Sequence, residues 1–79
     1  MTPNQIKILL VVARNTNGKG SRMNFSDLEE CLPDIKFGFL NQALEGLHRA
    51  GFIGKRKTNL RLTQRGWHIY RAIQEVWDG

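Results

Sequence analysis

Only Pro33 and Asp34 separate two stretches that otherwise read as helices, and this gap constrains the fold more than any other feature of the chain. Proline fixes φ and removes a backbone donor, so it stops the first helix. Asp34 is of the residue type that caps a helix start and opens the next helix at once. Helices joined by so short a turn form a tight helix-turn-helix, here with the longer helix second. Ser26 followed by Glu29 is a capping box for the first of the pair, a helix over 27–32 with Leu28, Cys31 and Leu32 inward. The second spans 35–50, and Phe37, Leu40, Leu44 and Leu47 recur along one of its faces. Gly51 stands where a left-handed C-terminal cap belongs, with Phe52 able to pack back on Leu47 as in a Schellman motif.

The flanking segments carry equally local signals. Thr2, Pro3 and Gln5 form a capping box with proline in the first turn, predicting a helix over 3–15 with Ile6, Leu9, Leu10 and Ala13 in one stripe. Asn17-Gly18-Lys19-Gly20-Ser21 reads as a basic loop, because the Gly-x-x-x-x-Gly-Lys-Ser/Thr spacing of a phosphate-binding loop is absent. After Gly51 the period changes to two. A hairpin over 52–63 is expected, turning at Lys57-Thr58-Asn59, with Leu60 and Leu62 on an apolar face and Arg61 on a cationic one. Met23-Asn24-Phe25 supplies a short third strand (23–25) able to pair with it. Thr63 then caps a C-terminal helix over 64–77.

That order predicts a single domain over 1–79 that is mainly α with a small β-hairpin wing, a winged helix-turn-helix. At this point the sequence resembles a family, the MarR/PadR-like winged-helix regulators. Leu47-His48-Arg49-Ala50-Gly51-Phe52-Ile53 is similar to the family's end of the recognition helix and start of the wing. Leu60-Arg61-Leu62-Thr63-Gln64-Arg65-Gly66 is similar to its Leu-Thr-x-x-Gly pattern at the second wing strand. The likeness covers residues 26–66 well and the flanking helices loosely. It implies double-stranded DNA binding, transcription regulation and dimerisation through terminal helices, although winged helices also serve as protein-interaction modules.

Composition excludes several other classes. A chain of 79 residues allows one domain. One cysteine and two histidines support neither an intramolecular disulfide framework nor a four-ligand zinc site. No Ser/His/Asp or paired-carboxylate pattern surrounds His48 or His68, so no catalytic residue, metal or cofactor is expected. No apolar run approaches the roughly 18 residues of a membrane span, and no signal pattern opens the chain; a cytoplasmic protein with no membrane partner is expected.

Charge directs attention to the partner. The net charge is +5, and seven basic residues lie between Arg49 and Arg71 with no acid among them. Such a stretch suits a polyanion. On the second helix of the helix-turn-helix, the face opposite the apolar stripe carries Gly38, Gln42, Glu45 and Arg49. Lys36, Asn41, Gln42 and Arg49 are the candidate DNA contacts there, with Gln42 suited to adenine and Arg49 to guanine or a phosphate. Glu45 departs from the pattern, since a carboxylate near phosphates repels unless it pairs with Arg49 or accepts from a cytosine amine. The wing contributes Lys55, Arg56, Lys57 and Arg61. Trp67, Tyr70, Ile73 and Trp77 on the C-terminal helix exceed what so small a core can cover and are the candidate homodimer interface. Phe39, Gly38, Gly46 and Glu45 keep open the alternative of a protein-interaction module without DNA binding.

Overall fold

The computed structural model describes residues 1–16 and 22–78, with side chains through Val76. The basic loop Asn17–Ser21 and the Trp77 side chain lie outside the described residues. The elements run α1 (Pro3–Thr16), β1 (Met23–Asn24), α2 (Phe25–Cys31), α3 (Phe37–Arg49), β2 (Ile53–Arg56), β3 (Asn59–Leu62) and α4 (Gln64–Asp78). The architecture is mainly helical with a small antiparallel sheet of strand order β1-β3-β2.

α1 is the hub, because α2, α3, α4, β1 and β3 all pack on it. Ile8, Leu9, Val12 and Ala13 are buried at its centre, and Thr16 is buried with its hydroxyl donating to the Val12 carbonyl at 2.8 Å. The stripe is therefore shifted from the expected one, and Ile6 and Leu10 are only half-buried. A helix covered from several sides has a wide apolar arc, so simple periodicity misplaces its centre. Met23, Leu28, Leu40, Leu44, Leu47, Ile53, Leu60 and Leu62 are the other large apolar side chains buried in the core among the described residues. Each contributes roughly 1.5–3 kcal/mol by burial.

Several expected helix starts hold. Thr2 and Gln5 exchange the bonds of a capping box, the Thr2 amide donating to Gln5 Oε1 at 2.9 Å and the Gln5 amide to Thr2 Oγ1 at 3.2 Å. Thr63 Oγ1 accepts from the Gly66 amide at 3.0 Å and so caps α4. Gly51 has φ +83°, and the amides of Phe52 and Gly51 donate to the carbonyls of Leu47 and His48, which completes the Schellman pattern.

Four local expectations need correction. α2 is capped by Asn24, with Asp27 completing the box, rather than by Ser26 and Glu29; pairing of β1 with β3 fixes the extended backbone at Asn24 and starts the helix earlier. Cys31 is exposed, not inward, because α2 is short and buries only Leu28. α3 starts after Lys36 with no side-chain cap, so Asp34 does not serve there. Phe37 is 61% exposed rather than in the core, and packs edge to face with the Phe25 ring at 5.8 Å between centroids. At the first residue of α3 it precedes the part of the helix that α1 covers.

A compact knot joins the hairpin to α4. Thr63 donates its hydroxyl to the Gly51 carbonyl and its amide to the Phe52 carbonyl, while Arg65 lies over the Phe52 ring at 5.5 Å. Gly66 faces the Phe52 carbonyl so closely that no side chain fits there. These contacts are what the Leu-Thr-x-x-Gly spacing does physically in this chain.

Candidate functional site

The hairpin register decides where its cations point. Ile53 pairs with Leu62, Gly54 with Arg61, Lys55 with Leu60 and Arg56 with Asn59. Residues directly opposite share a face, and alternate residues change face. Leu60 and Leu62 are buried, so Lys55 emerges on the core side of the sheet, where α3 lies. Arg56 and Arg61 emerge on the outer face, and Lys57 occupies the turn with φ 56°. Gly54 leaves room for Arg61 to lie across the neighbouring strand, since a Cβ there would stand 3.1 Å from Arg61 Nε. The turn is the two residues Lys57-Thr58, with Asn59 already in β3, one residue shorter than expected.

On α3 the buried residues are Leu40, Ala43, Leu44 and Leu47. The opposite face carries Gly38, Gln42, Glu45 and Arg49. Gln42 and Arg49 are exposed, Glu45 and Asn41 partly so, and Lys36 is exposed just before the helix. Lys55 Nζ donates to Glu45 Oε1 at 3.1 Å, the one ion pair among the described residues. This bond ties the hairpin to the middle of the exposed face of α3. The lysine, by its hydrogen bond and then by its charge, holds the Glu45 carboxyl below its ordinary value, with His48 and Arg49 adding in the same sense. Glu45 therefore pairs with Lys55 from the hairpin, and the expected partner one turn along, Arg49, acts only as a neighbouring charge.

A shallow groove of about 630 Å³ runs beside this face, between the start of α1 and α3. Gln5, Phe39, Gln42, Glu45, Gly46 and Arg49 line it, with Phe39 59% exposed at its edge. The Gln5 side-chain amide lies over Gly46, where a Cβ would strike it. The chain matches no protein-family model, no curated protein and no solved structure. The guide to its function is therefore the chemistry of its own residues.

All seven residues of the basic stretch are exposed; of these, Lys55 is paired with Glu45 and Arg65 lies over the Phe52 ring. Their distribution could not be read from order alone. The signal that was present is that Glu45 is the lone acid on an otherwise neutral or basic face, followed closely by a cationic hairpin. Trp67, Ile69, Tyr70 and Ile73 on α4 are half-buried and packed against the core, with the Trp67 and Tyr70 rings edge to face at 5.6 Å. The chain's own core thus takes up part of the apolar surface of that helix and leaves the rest of it accessible. Among the described residues of α4, Val76, at 79% exposure, is a large apolar side chain that the core leaves uncovered. Among the described residues no helix is long and apolar enough to cross a membrane, and no cluster of His, Cys, Asp and Glu could hold a metal ion.

Proposed function

We propose that the chain is a winged helix-turn-helix domain that binds double-stranded DNA and acts by occupancy, as a transcription regulator or a small architectural protein. In this reading α3 enters the major groove. Gln42 reads adenine, Arg49 meets guanine or a phosphate, and Lys36 and Asn41 flank them. Gly38, with nothing within 4 Å of its Cβ position, allows close approach of the backbone. The β2–β3 hairpin is the wing, and Arg56, Lys57 and Arg61 meet phosphates. A cytoplasmic location goes with this role, and no chemistry is assigned to any side chain.

The observation that carries the reading is the Lys55–Glu45 bridge, because it holds the exposed face of α3 and the cationic hairpin in one continuous surface. A gel-shift series of the pure protein on random duplex DNA tests it. Counterion release gives a log–log salt slope of about −0.9 per phosphate contact, so roughly −3 to −4 when the three hairpin cations and Arg49 take part. No shift at low salt would reject DNA binding. It would leave the second reading, a protein-interaction module, which the exposed Phe39 beside the α1–α3 groove favours.

The proposal extends to a two-fold dimer through α4. Exposed Val76 and the half-buried edges of Trp67, Tyr70 and Ile73 support it, and Trp77 belongs to the same helix. Sedimentation equilibrium is expected to give about 18 kDa, twice the 9.1 kDa chain. A 9.1 kDa species at high concentration would reject the dimer without touching the DNA reading.

A further inference from the structure

Glu45 occupies the centre of the exposed face of α3, with Gln42 and Arg49 about one turn away on either side. A bare carboxylate at that point would oppose a polyanion. Lys55 removes the opposition locally, because its pairing with Leu60 in the sheet directs it inward to α3 and to Glu45 Oε1 at 3.1 Å. A neutral residue at position 45 would remove the same repulsion and leave Lys55 to contact a phosphate. The pair instead cancels net charge and keeps a carboxylate acceptor on the face, since among the described residues only Oε1 takes part in a hydrogen bond.

The groups such an acceptor can meet in a major groove are few. Guanine shows two acceptors and thymine an acceptor and a methyl group, all of which repel or fail to bond a carboxylate. Adenine offers its amine beside the N7 acceptor, whereas cytosine offers its N4 amine without an adjacent acceptor on the same base. Resting on the DNA-binding reading above, we propose that Glu45, oriented by Lys55, is a specificity-determining residue that selects cytosine at one position of the bound duplex. Lys55 is then a positioning residue and not a phosphate contact. Of the hairpin cations, Arg56, Lys57 and Arg61 remain to set the salt dependence.

The test uses the full chain and a randomised duplex library, followed by affinities for the selected duplex and all its single-base changes. Wild type is expected to prefer cytosine at one position by about tenfold, the scale of one specific base contact. Glu45→Gln is expected to lose that preference or move it to adenine, with the other positions unchanged. Lys55→Met is expected to weaken binding on every sequence while leaving the salt slope near the wild-type value, because no phosphate contact is lost. The same base preferences in Glu45→Gln as in wild type would overturn the proposal, even if all affinities rose together. So would equal wild-type affinity for all sequences, which would leave general DNA binding intact. Absence of any wild-type binding at low salt would instead reject the underlying reading and this inference with it. Glu45 is partly exposed and outside the core, and a circular-dichroism melt of each variant verifies folding before affinities are compared.

Discussion

Replacing Gly66 by alanine tests the knot that fixes α4 to the rest of the domain. The new Cβ would overlap the Phe52 carbonyl oxygen and lie 3.1 Å from its carbon and 3.3 Å from Leu62 Cβ. The first two of these atoms are backbone, so they cannot swing aside as a flexible side chain would. The first turn of α4 must back away, and the Thr63 amide bond to the Phe52 carbonyl, 3.1 Å in the native chain, is strained or lost. Overpacking costs about 1–3 kcal/mol. The hydrogen bond adds about 0.5–1.5 kcal/mol. Alanine's better helix propensity returns about 1 kcal/mol, so the net destabilisation is about 2 kcal/mol. For a domain of this size each kcal/mol lowers the melting point by about 4–8 °C, so a fall of roughly 8–16 °C is expected.

The same substitution at Gly38 is the control. Nothing lies within 4 Å of a Cβ there, and the position is exposed and helical. Gly38→Ala is expected to stabilise by up to about 1 kcal/mol through reduced unfolded-state entropy and improved propensity. Urea unfolding followed by tryptophan fluorescence and by far-ultraviolet circular dichroism compares the two, with coincident transitions establishing two-state behaviour. If Gly66→Ala unfolds at the same or a higher midpoint than Gly38→Ala, α4 does not enter against Phe52 as described.

Thr63→Ala removes both the α4 cap and the hydroxyl bond to Gly51, so a loss of about 1–2 kcal/mol in the same urea assay is expected, with Thr63→Ser retaining part of it. Glu45 titrates below its ordinary value because Lys55 bonds and attracts the carboxylate, and Lys55→Met is expected to raise its midpoint in a carboxyl-detected NMR titration. A depressed folded value stabilises above the ordinary carboxylate range and loses that contribution as pH falls through the folded value, so the variant should show a shallower acid-side decline in stability. An unmoved midpoint would mean that the ion pair is not populated in solution. Changing Arg56, Lys57 and Arg61 together to alanine is expected to flatten the salt slope of duplex binding by about 0.9 for each phosphate contact removed, and an unchanged slope would exclude the hairpin from the interface.

Features set by neighbours in the chain were legible without tertiary information. The Thr2–Gln5 box, the Schellman turn at Gly51 and the Thr63 cap each close between residues no more than five apart. The alternation of Leu60, Arg61 and Leu62 likewise foretold one buried and one cationic face, because strand geometry enforces it. Where the expectation failed, two local options competed and a distant contact chose between them. Asn24 caps α2 because β1 pairs with β3, which no local preference of Ser26 could report. Phe37 and Cys31 stand at helical spacing with apolar neighbours, yet the packed fold leaves both exposed. How much of the apolar surface of α4 the common core takes up also depended on tertiary packing, which leaves Trp67, Tyr70 and Ile73 half-buried. The candidate site shows the same division most clearly. Its residue types and charge were written in the chain, but the pairing of Lys55 with Glu45 joins a hairpin to a helix. Side-chain direction there depends on strand register and on which face of α3 the core leaves exposed, and only the packed structure determines both.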